Sequence, residues 1–202
     1  MTGECTNLVI VGVGGQGIIL LTRILGETAL DSNLNVMESE IHGMAQRGGQ
    51  VMSTIRIGDV HSPMIGEGEA DIILGMEPVE TYRHLNMASK NTTVVTSTNP
   101  VYPFTVTSGD EEYPNLEDLL SILSAYPKKL IKLDAEKITL DSGLPNIVSN
   151  MIMLGAILGA CPDFPVSYET IKETIKQNVP IKYVDENIKA FELGITEAKK
   201  HS

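Results

Sequence analysis

A glycine-rich segment near the N-terminus is the first part of the chain whose composition could do chemistry. Residues 12–17 read GVGGQG, which satisfies the GxGxxG pattern between an apolar run and a helix-like segment. Residues without side chains let the backbone turn tightly and approach a ligand, and amides at the following helix N-terminus then face a phosphate. The predicted cofactor-binding residues are Gly12, Gly14, Gly15, Gln16 and Gly17. A turn that only lets a strand and a helix pack closely is the other interpretation.

A carboxylate at the expected distance extends the first interpretation. Glu38 follows Gly17 by 21 residues and lies near the end of the next predicted strand, where an acid that binds a ribose would lie. A stand-alone NAD(P)- or FAD-binding oxidoreductase is therefore the alternative function. One observation disfavours this alternative. A dinucleotide-binding fold continues from the second strand into a crossover helix, whereas this chain continues into another glycine-rich stretch.

This second stretch, residues 42–49, supplies polar donors among glycines. His42, Gln46 and Arg47 are the candidate catalytic residues, and the forked guanidinium of Arg47 suits a phosphate or a carboxylate. His42 could titrate near neutral pH, or it could be a hydrogen-bonded spacer. Arg47 could instead pair with Glu38 or Glu40 and hold the loop in place.

Three segments together resemble a known family. They are GVGGQGIIL at residues 12–20, EIHGMAQRGG at 40–49 and EGEADIILGMEP at 67–78. The pattern is similar to that of the gamma-type domain of the 2-oxoacid:ferredoxin oxidoreductases, and the form HGMAQRGG resembles the small subunits of the indolepyruvate branch. The resemblance covers about residues 8–160.

The resemblance implies a part in an oxidative decarboxylation. Enzymes of this family convert an aryl pyruvate and coenzyme A into an aryl-acetyl-CoA and CO2, and they pass the electrons to ferredoxin. The complex is expected to use thiamine diphosphate, Mg2+, 4Fe-4S clusters and coenzyme A, with the thiamine and the clusters on a large alpha subunit. This chain would be the small subunit of the hetero-oligomer. Gly14 to Gly17 become candidates for the coenzyme A phosphate or for an interface near the thiamine, and the residues of the second stretch become candidates for the same cleft.

Composition excludes several other functions. The chain has 202 residues with 26 acidic and 15 basic side chains, and the net charge of −11 disfavours nucleic acid or an anionic membrane as partner. Two distant cysteines, Cys5 and Cys161, indicate a reducing, cytoplasmic compartment and are too few for an iron–sulfur cluster. The four histidines show no metal-binding spacing, so no metal or cofactor is expected on this chain alone.

No basic residue precedes the first apolar run, so a secretory signal is not expected. The apolar stretch 147–160 is too short to cross a bilayer and is interrupted by Ser149 and Asn150.

The elements that must position these residues alternate between strands and helices. Strands are predicted at 8–11, 35–39, 51–57, 70–76, 92–96 and 130–133, and helices at 17–30, 79–88, 115–126, 134–141, 146–161, 167–178 and 184–200. This order indicates one α/β domain over residues 1–202: a three-layer Rossmann-like fold with a mostly parallel sheet and a helical C-terminus. A hairpin is expected after the second strand, with Gly58-Asp59 as its turn and 60–62 as a short return strand. The loops 13–17, 39–49, 77–78 and 97–100 should then meet at the carboxyl edge of the sheet.

Overall fold

A six-stranded mixed sheet forms the centre of the protein in the computed structural model, which describes residues 5–43 and 49–201. The strands of this described part are β1 (Cys5–Val13), β2 (Val36–His42), β3 (Gln50–Gly58), β4 (Ala70–Gly75), β5 (Ala88–Ser97) and β6 (Lys129–Leu133). Their order across the sheet is β2-β3-β1-β4-β5-β6. β1, β4, β5 and β6 run parallel, and β3 is antiparallel to both of its neighbours. The predicted fold class is confirmed.

The hairpin is formed by β2 and β3, so the chain reverses before β3. The sequence predicted the reversal after this strand, at Gly58-Asp59. β2 and β3 pair from Val36 with Ile57 to His42 with Val51, so the hairpin consists of these two strands. Residues 60–62 do not form a return strand, because the guanidinium of Arg56 donates to the carbonyl oxygens of Ser62 and Met64, each at 3.1 Å, and holds this segment beside β3. Alternation along β3 predicts a strand but does not indicate which strand it pairs with.

Eight α-helices lie in the described residues. They are α1 (Ile18–Asp31), α2 (Pro78–Arg83), α3 (Phe104–Thr107), α4 (Leu116–Ala125), α5 (Ala135–Asp141), α6 (Ser149–Ala160), α7 (Tyr168–Asn178) and α8 (Val184–Lys200). Most predicted helices are confirmed within two residues, and Ser167 caps α7 by accepting from the Thr170 amide. The helix predicted over 79–88 ends early, because Ala88 already pairs with Ala70 in the sheet. The short helix α3 was not predicted.

Helices cover both faces of the sheet, as its alternating burial requires. On β1, Leu8 and Ile10 contact the larger core under α1, α6, α7 and α8, while Val9 and Val11 face a smaller core around Ile65. α6 is apolar on all sides and is buried between the sheet and α8. No helix of the described part is long and apolar enough to cross a membrane.

Candidate functional site

A cavity of about 680 Å³ opens at the carboxyl edge of the parallel strands. The start of α1 lines it on one side, and Met76, which follows β4, lies beside it. Residues at the end of β5 and just after it, at the start of α5, at the start of α6 and before and within α8 complete the wall: Ser97, Asn99, Val101, Ala135, Glu136, Pro145, Asn146, Ile147, Val148, Ser149, Asn150, Met153, Val179, Pro180, Tyr183 and Asn187. Several loops thus converge at the edge where ligands bind in open α/β sheets. We refer to this cavity as the cleft.

The first glycine loop borders the cleft through part of its length. Gly15 and Gly17 have φ angles of 102° and 75°, in the left-handed region that favours glycine. Both line the cleft, and a Cβ on Gly15 would meet no other atom within 4 Å. Gly17 also lies against the Asn150 side chain, which occupies the space that a Cβ would need. The loop therefore presents backbone rather than side chains to a ligand.

Gly12 and Gly14 have a different part in the loop. A Cβ on Gly12 would overlap Gln16 and lie 2.8 Å from the Met76 Cβ, so this glycine is required for packing. The Gly14 amide donates to the Gly49 carbonyl at 2.9 Å and joins the two glycine stretches. Neither residue lines the cleft.

Gln16 holds the loop to the sheet. Its Oε1 accepts from the Val13 amide at 2.8 Å, and its Nε2 donates to the Met76 carbonyl at 2.9 Å. Both ends of the carboxamide are thus engaged inside the protein, although the residue also borders the cleft. The geometry makes Gln16 a positioning residue for the loop.

Two helix N-termini meet at the cleft without side-chain caps. Gly17 is the N-cap of α1 and Val148 that of α6, and neither end receives a side-chain hydrogen bond. At α1, the amides of the first turn lack intrahelical partners and, with the positive end of the helix dipole, favour an anion. α6 instead continues from a 3₁₀ turn at Asn146–Val148, in which the Val148 and Ser149 amides already donate to the Pro145 and Asn146 carbonyls. The described lining residues include one carboxylate, Glu136, and no lysine or arginine. Attraction for an anion at this cleft would therefore come from backbone amides.

Asn150 lies between these two helix ends and was not predicted as a site residue. Its side chain is 6% exposed, lines the cleft, and has an Oδ1 without a hydrogen-bond partner. A buried amide oxygen without a partner is costly, so a ligand that donates a hydrogen bond would relieve this cost. The sequence held one signal for this site: Asn150 is a polar residue at the start of α6, a helix that is otherwise apolar.

A buried carboxylate positions the loop on the far side of the cleft. Glu77 is 1% exposed, caps α2 by accepting from the Glu80 amide at 2.9 Å, and accepts a second hydrogen bond from the Tyr113 hydroxyl. Burial and the neighbouring Glu77 raise the pKa of Tyr113 above its ordinary value, which keeps this hydroxyl a donor. The Tyr113 ring also packs edge-to-face on Tyr102 at 5.0 Å. Glu77 thus holds residues 101–113 in place.

The second glycine stretch lies at the same sheet edge but away from the cleft in its described part. His42 is exposed, and its Nε2 lies 3.3 Å from Glu40 Oε2. His42 does not line the cleft. Gln50, at the loop end of the β2–β3 hairpin, contacts His84 at 2.9 Å. Gln46 and Arg47 lie outside the described residues.

Glu38 is too far from the glycine loop for the dinucleotide interpretation. Because β3 lies between β1 and β2, Glu38 is two strand spacings away from β1, about 10 Å. Its carboxylate lies over Gly26 of α1, and burial followed by the charges of Glu40 and Glu27 raises its pKa. Because β3 lies between β2 and β1, Glu38 is too far from the glycine loop to bind the ribose of a dinucleotide held there.

Comparison with known proteins identifies the family. The family model for pyruvate ferredoxin/flavodoxin oxidoreductase matches residues 7–197. The chain belongs to this family. The indolepyruvate oxidoreductase subunit IorB of Pyrococcus horikoshii is 42% identical over 196 residues, which cover 96% of each chain. The resemblance predicted from the three motifs is confirmed.

Solved structures of low sequence identity share the fold. The gamma subunit of a keto/oxoacid ferredoxin oxidoreductase from Geobacter sulfurreducens aligns with a TM-score of 0.69 and 21% identity, over 96% of this chain and 99% of that one. The 2-oxoglutarate:ferredoxin oxidoreductase of Magnetococcus marinus, solved with 2-oxoglutarate, coenzyme A and succinyl-CoA, aligns with a TM-score of 0.72 and 18% identity. That alignment covers 98% of this chain but 32% of the other, so the fold also occurs as part of a longer chain.

The residues present do not fit an iron–sulfur cluster or a metal ion. Two cysteines cannot ligate a 4Fe-4S cluster, and the described residues contain no group of three His, Cys, Asp or Glu side chains that could hold a metal ion. The cleft, with the N-terminus of α1 and an apolar wall, fits an organic ligand that carries an anionic group.

Proposed function

We propose that this chain is the small subunit of an indolepyruvate ferredoxin oxidoreductase, a complex that oxidatively decarboxylates aryl 2-oxoacids with coenzyme A. The observation that carries the proposal is the 42% identity to an indolepyruvate oxidoreductase subunit over 96% of both chains. The family match over residues 7–197 supports a single domain. The alternative, a stand-alone nicotinamide or flavin enzyme, loses its support because Glu38 is separated from the glycine loop by β3.

The thiamine diphosphate, Mg2+ and 4Fe-4S clusters belong to a large subunit in this proposal, and ferredoxin accepts electrons from that subunit. The two cysteines of this chain, both free, support a cytoplasmic complex. Co-expression with a large subunit of the indolepyruvate type tests the proposal. Assembly should produce coenzyme A-dependent reduction of ferredoxin by indolepyruvate, which neither subunit catalyses alone. Full turnover by the large subunit without this chain would refute it.

Within the complex, we assign the cleft to coenzyme A. A phosphate would lie at the N-terminus of α1 beside Gly15 and Gly17, and the Oδ1 of Asn150 would accept a hydrogen bond from an amide or amino group of the ligand. The apolar wall, which includes Leu20 and Met153, would contact the rest of the molecule. The described lining residues supply no lysine or arginine for this phosphate, so the backbone amides of α1 would hold it.

A pair of matched variants tests this assignment. Gly15 and Gly143 both have positive φ and open space where a Cβ would lie, but only Gly15 lines the cleft. Gly15→Asp should raise the KM for coenzyme A by about tenfold or more through charge repulsion, with the KM for indolepyruvate unchanged. Gly143→Asp should leave both constants unchanged. Equal effects of the two substitutions would contradict the assignment.

The second glycine stretch, residues 42–49 of the sequence, is also part of the proposal. His42, Gln46 and Arg47 are proposed to act at this edge in the assembled complex, with Arg47 as an additional anchor for a phosphate or carboxylate. Arg47→Ala should then weaken the binding of coenzyme A or the 2-oxoacid. An Arg47→Ala complex with unchanged kinetic constants would remove this role.

A further inference from the structure

Exposed apolar side chains surround the mouth of the cleft. Ile147 and Ile181 are 82% and 92% exposed, and three more large apolar or aromatic residues nearby are also exposed. We call the set the cleft rim: Val101, Tyr102, Ile147, Ile181 and Tyr183. Val101, Ile147 and Tyr183 line the cleft itself, and the other two adjoin lining residues in the chain. Large apolar side chains exposed around one opening are typical of an interaction site.

The rim is held in place by the fold. Ile147 lies in a 3₁₀ turn whose next residue, Val148, is buried in the core. Ile181 and Tyr183 lie in a second 3₁₀ turn, where the Lys182 Nζ lies 4.6 Å from the centre of the Tyr183 ring. The backbone that carries these side chains is therefore fixed before a partner binds, which lowers the cost of ordering it on binding.

The Tyr102 side of the rim is anchored as well. Its ring packs on Tyr113, whose hydroxyl is hydrogen-bonded to the buried Glu77. The same carboxylate caps α2, so this part of the rim is connected to the sheet through the segment that follows β4. The segments on both sides of the cleft mouth are therefore held in place by the fold.

We propose that the cleft rim is the surface on which the large subunit of the oxidoreductase binds, an inference that rests on the proposed function. A second copy of this chain is disfavoured, because two copies with a net charge of −11 repel each other. The charged residues at the rim are the carboxylates Glu136 and Asp185 and the cation Lys182, so a partner surface with an apolar centre and an excess of basic residues at its edge complements it. The occurrence of this fold as a third of a longer chain also supports its use as one part of a larger body.

Binding at the rim would close the cleft. The large subunit would cover the mouth between Ile147 and Ile181, so a ligand held at the N-terminus of α1 would lie between the two subunits. Exclusion of water from this space strengthens the attraction between the backbone amides and an anion. This explains why a site without a lysine or arginine among its described lining residues could still hold an anionic group.

The experiment compares charged variants in the full complex. Ile147→Asp/Ile181→Asp places two carboxylates on the rim, and both positions are too exposed for the change to affect folding. Leu30→Asp is the matched control, because Leu30 is 62% exposed but lies at the opposite end of α1 from the cleft. Each variant is mixed with the affinity-tagged large subunit, and the dissociation constant is measured.

The double variant should bind about 100-fold more weakly or worse than the wild type, since two central apolar contacts are lost and charges are buried. Leu30→Asp should bind like the wild type. Hydrogen exchange should slow at residues 146–149 and 180–184 when the wild-type complex forms.

The outcomes separate this inference from the function on which it rests. Wild-type chain that does not bind the large subunit would overturn both. Wild-type affinity in the double variant, or equal loss in Leu30→Asp, would overturn the assignment of the rim while leaving the function intact. A homodimer of the wild-type chain that the double variant dissolves would assign the rim to a second copy and would also overturn it.

Discussion

Replacement of Gln16 tests whether the first glycine loop is positioned by this side chain. Gln16→Ala removes the acceptor for the Val13 amide and the donor to the Met76 carbonyl, at 2.8 and 2.9 Å. Val13 is buried, so its amide would be left without a partner. A residue whose main task is to bind a cofactor would show no such effect in the free protein.

The magnitude follows from these two hydrogen bonds. Each contributes about 0.5–1.5 kcal/mol, and a buried amide without a partner adds desolvation cost, so Gln16→Ala should lower the free energy of unfolding by about 2–3 kcal/mol. Gln16→Glu keeps the acceptor but loses the donor, and it brings a negative oxygen towards the Met76 carbonyl. Glutamate should therefore not restore the stability.

Urea denaturation of the purified chain measures the change. The midpoint and slope give the free energy of unfolding, and an unchanged slope shows that the variants unfold from a native state of similar compactness. Gln50→Ala is the control, because Gln50 makes an exposed hydrogen bond to His84 at 2.9 Å and should cost less than about 1 kcal/mol. Gln16→Ala with a free energy of unfolding within about 0.5 kcal/mol of the wild type would refute the positioning role.

Three further predictions concern other parts of the site and its support. Glu38→Gln should stabilise the protein by under about 1 kcal/mol at pH 7, because burial raises the pKa of this half-exposed carboxyl and its charged form destabilises the native state. The gain should vanish below about pH 4.5, where the carboxyl is protonated in both states, as denaturation across pH would measure. Tyr113→Phe removes a donor to the buried Glu77 and should cost about 1–3 kcal/mol in thermal unfolding, with faster hydrogen exchange in residues 101–113. Gly155→Ala should cost about 3 kcal/mol in the free energy of unfolding, because its Cβ would overlap the Phe191 carbonyl oxygen in the contact between α6 and α8.

Each of these predictions has a control and an outcome that contradicts it. A gain from Glu38→Gln that stayed constant from pH 7 to pH 4 would show that its charge is not the cause. Tyr126→Phe, at an exposed tyrosine, should not change stability, and equal loss at both tyrosines would contradict the role of Glu77. Gly66→Ala places a Cβ against only the Glu69 carboxyl group at 3.1 Å, so it should be tolerated. Gly155→Ala as stable as Gly66→Ala would show that the two helices can separate without cost.

Local pattern predicted most of the backbone, since apolar runs, capping residues and glycine positions act over a few neighbouring residues. The glycine turn between β1 and α1, the buried α6 and the Ser167 cap were all predicted in this way. The return strand at 60–62 was wrong, because alternation in β3 fits an antiparallel partner on either side. Asn150 was missed because its importance comes from Gly17, which is distant in the chain.

By itself, the sequence determined the α/β class, the family and the edge of the sheet where the cleft opens, because each depends on short segments and their order. Only the tertiary structure decided what the residues at that edge do. The insertion of β3 between β1 and β2 moved Glu38 away from the glycine loop, and the end of β4 engaged Gln16 through the Met76 carbonyl. The start of α6 brought Asn150 to the N-terminus of α1. Such assignments depend on contacts between segments that are far apart in the chain, since a side chain takes its role from the groups that the folded core brings within hydrogen-bonding distance.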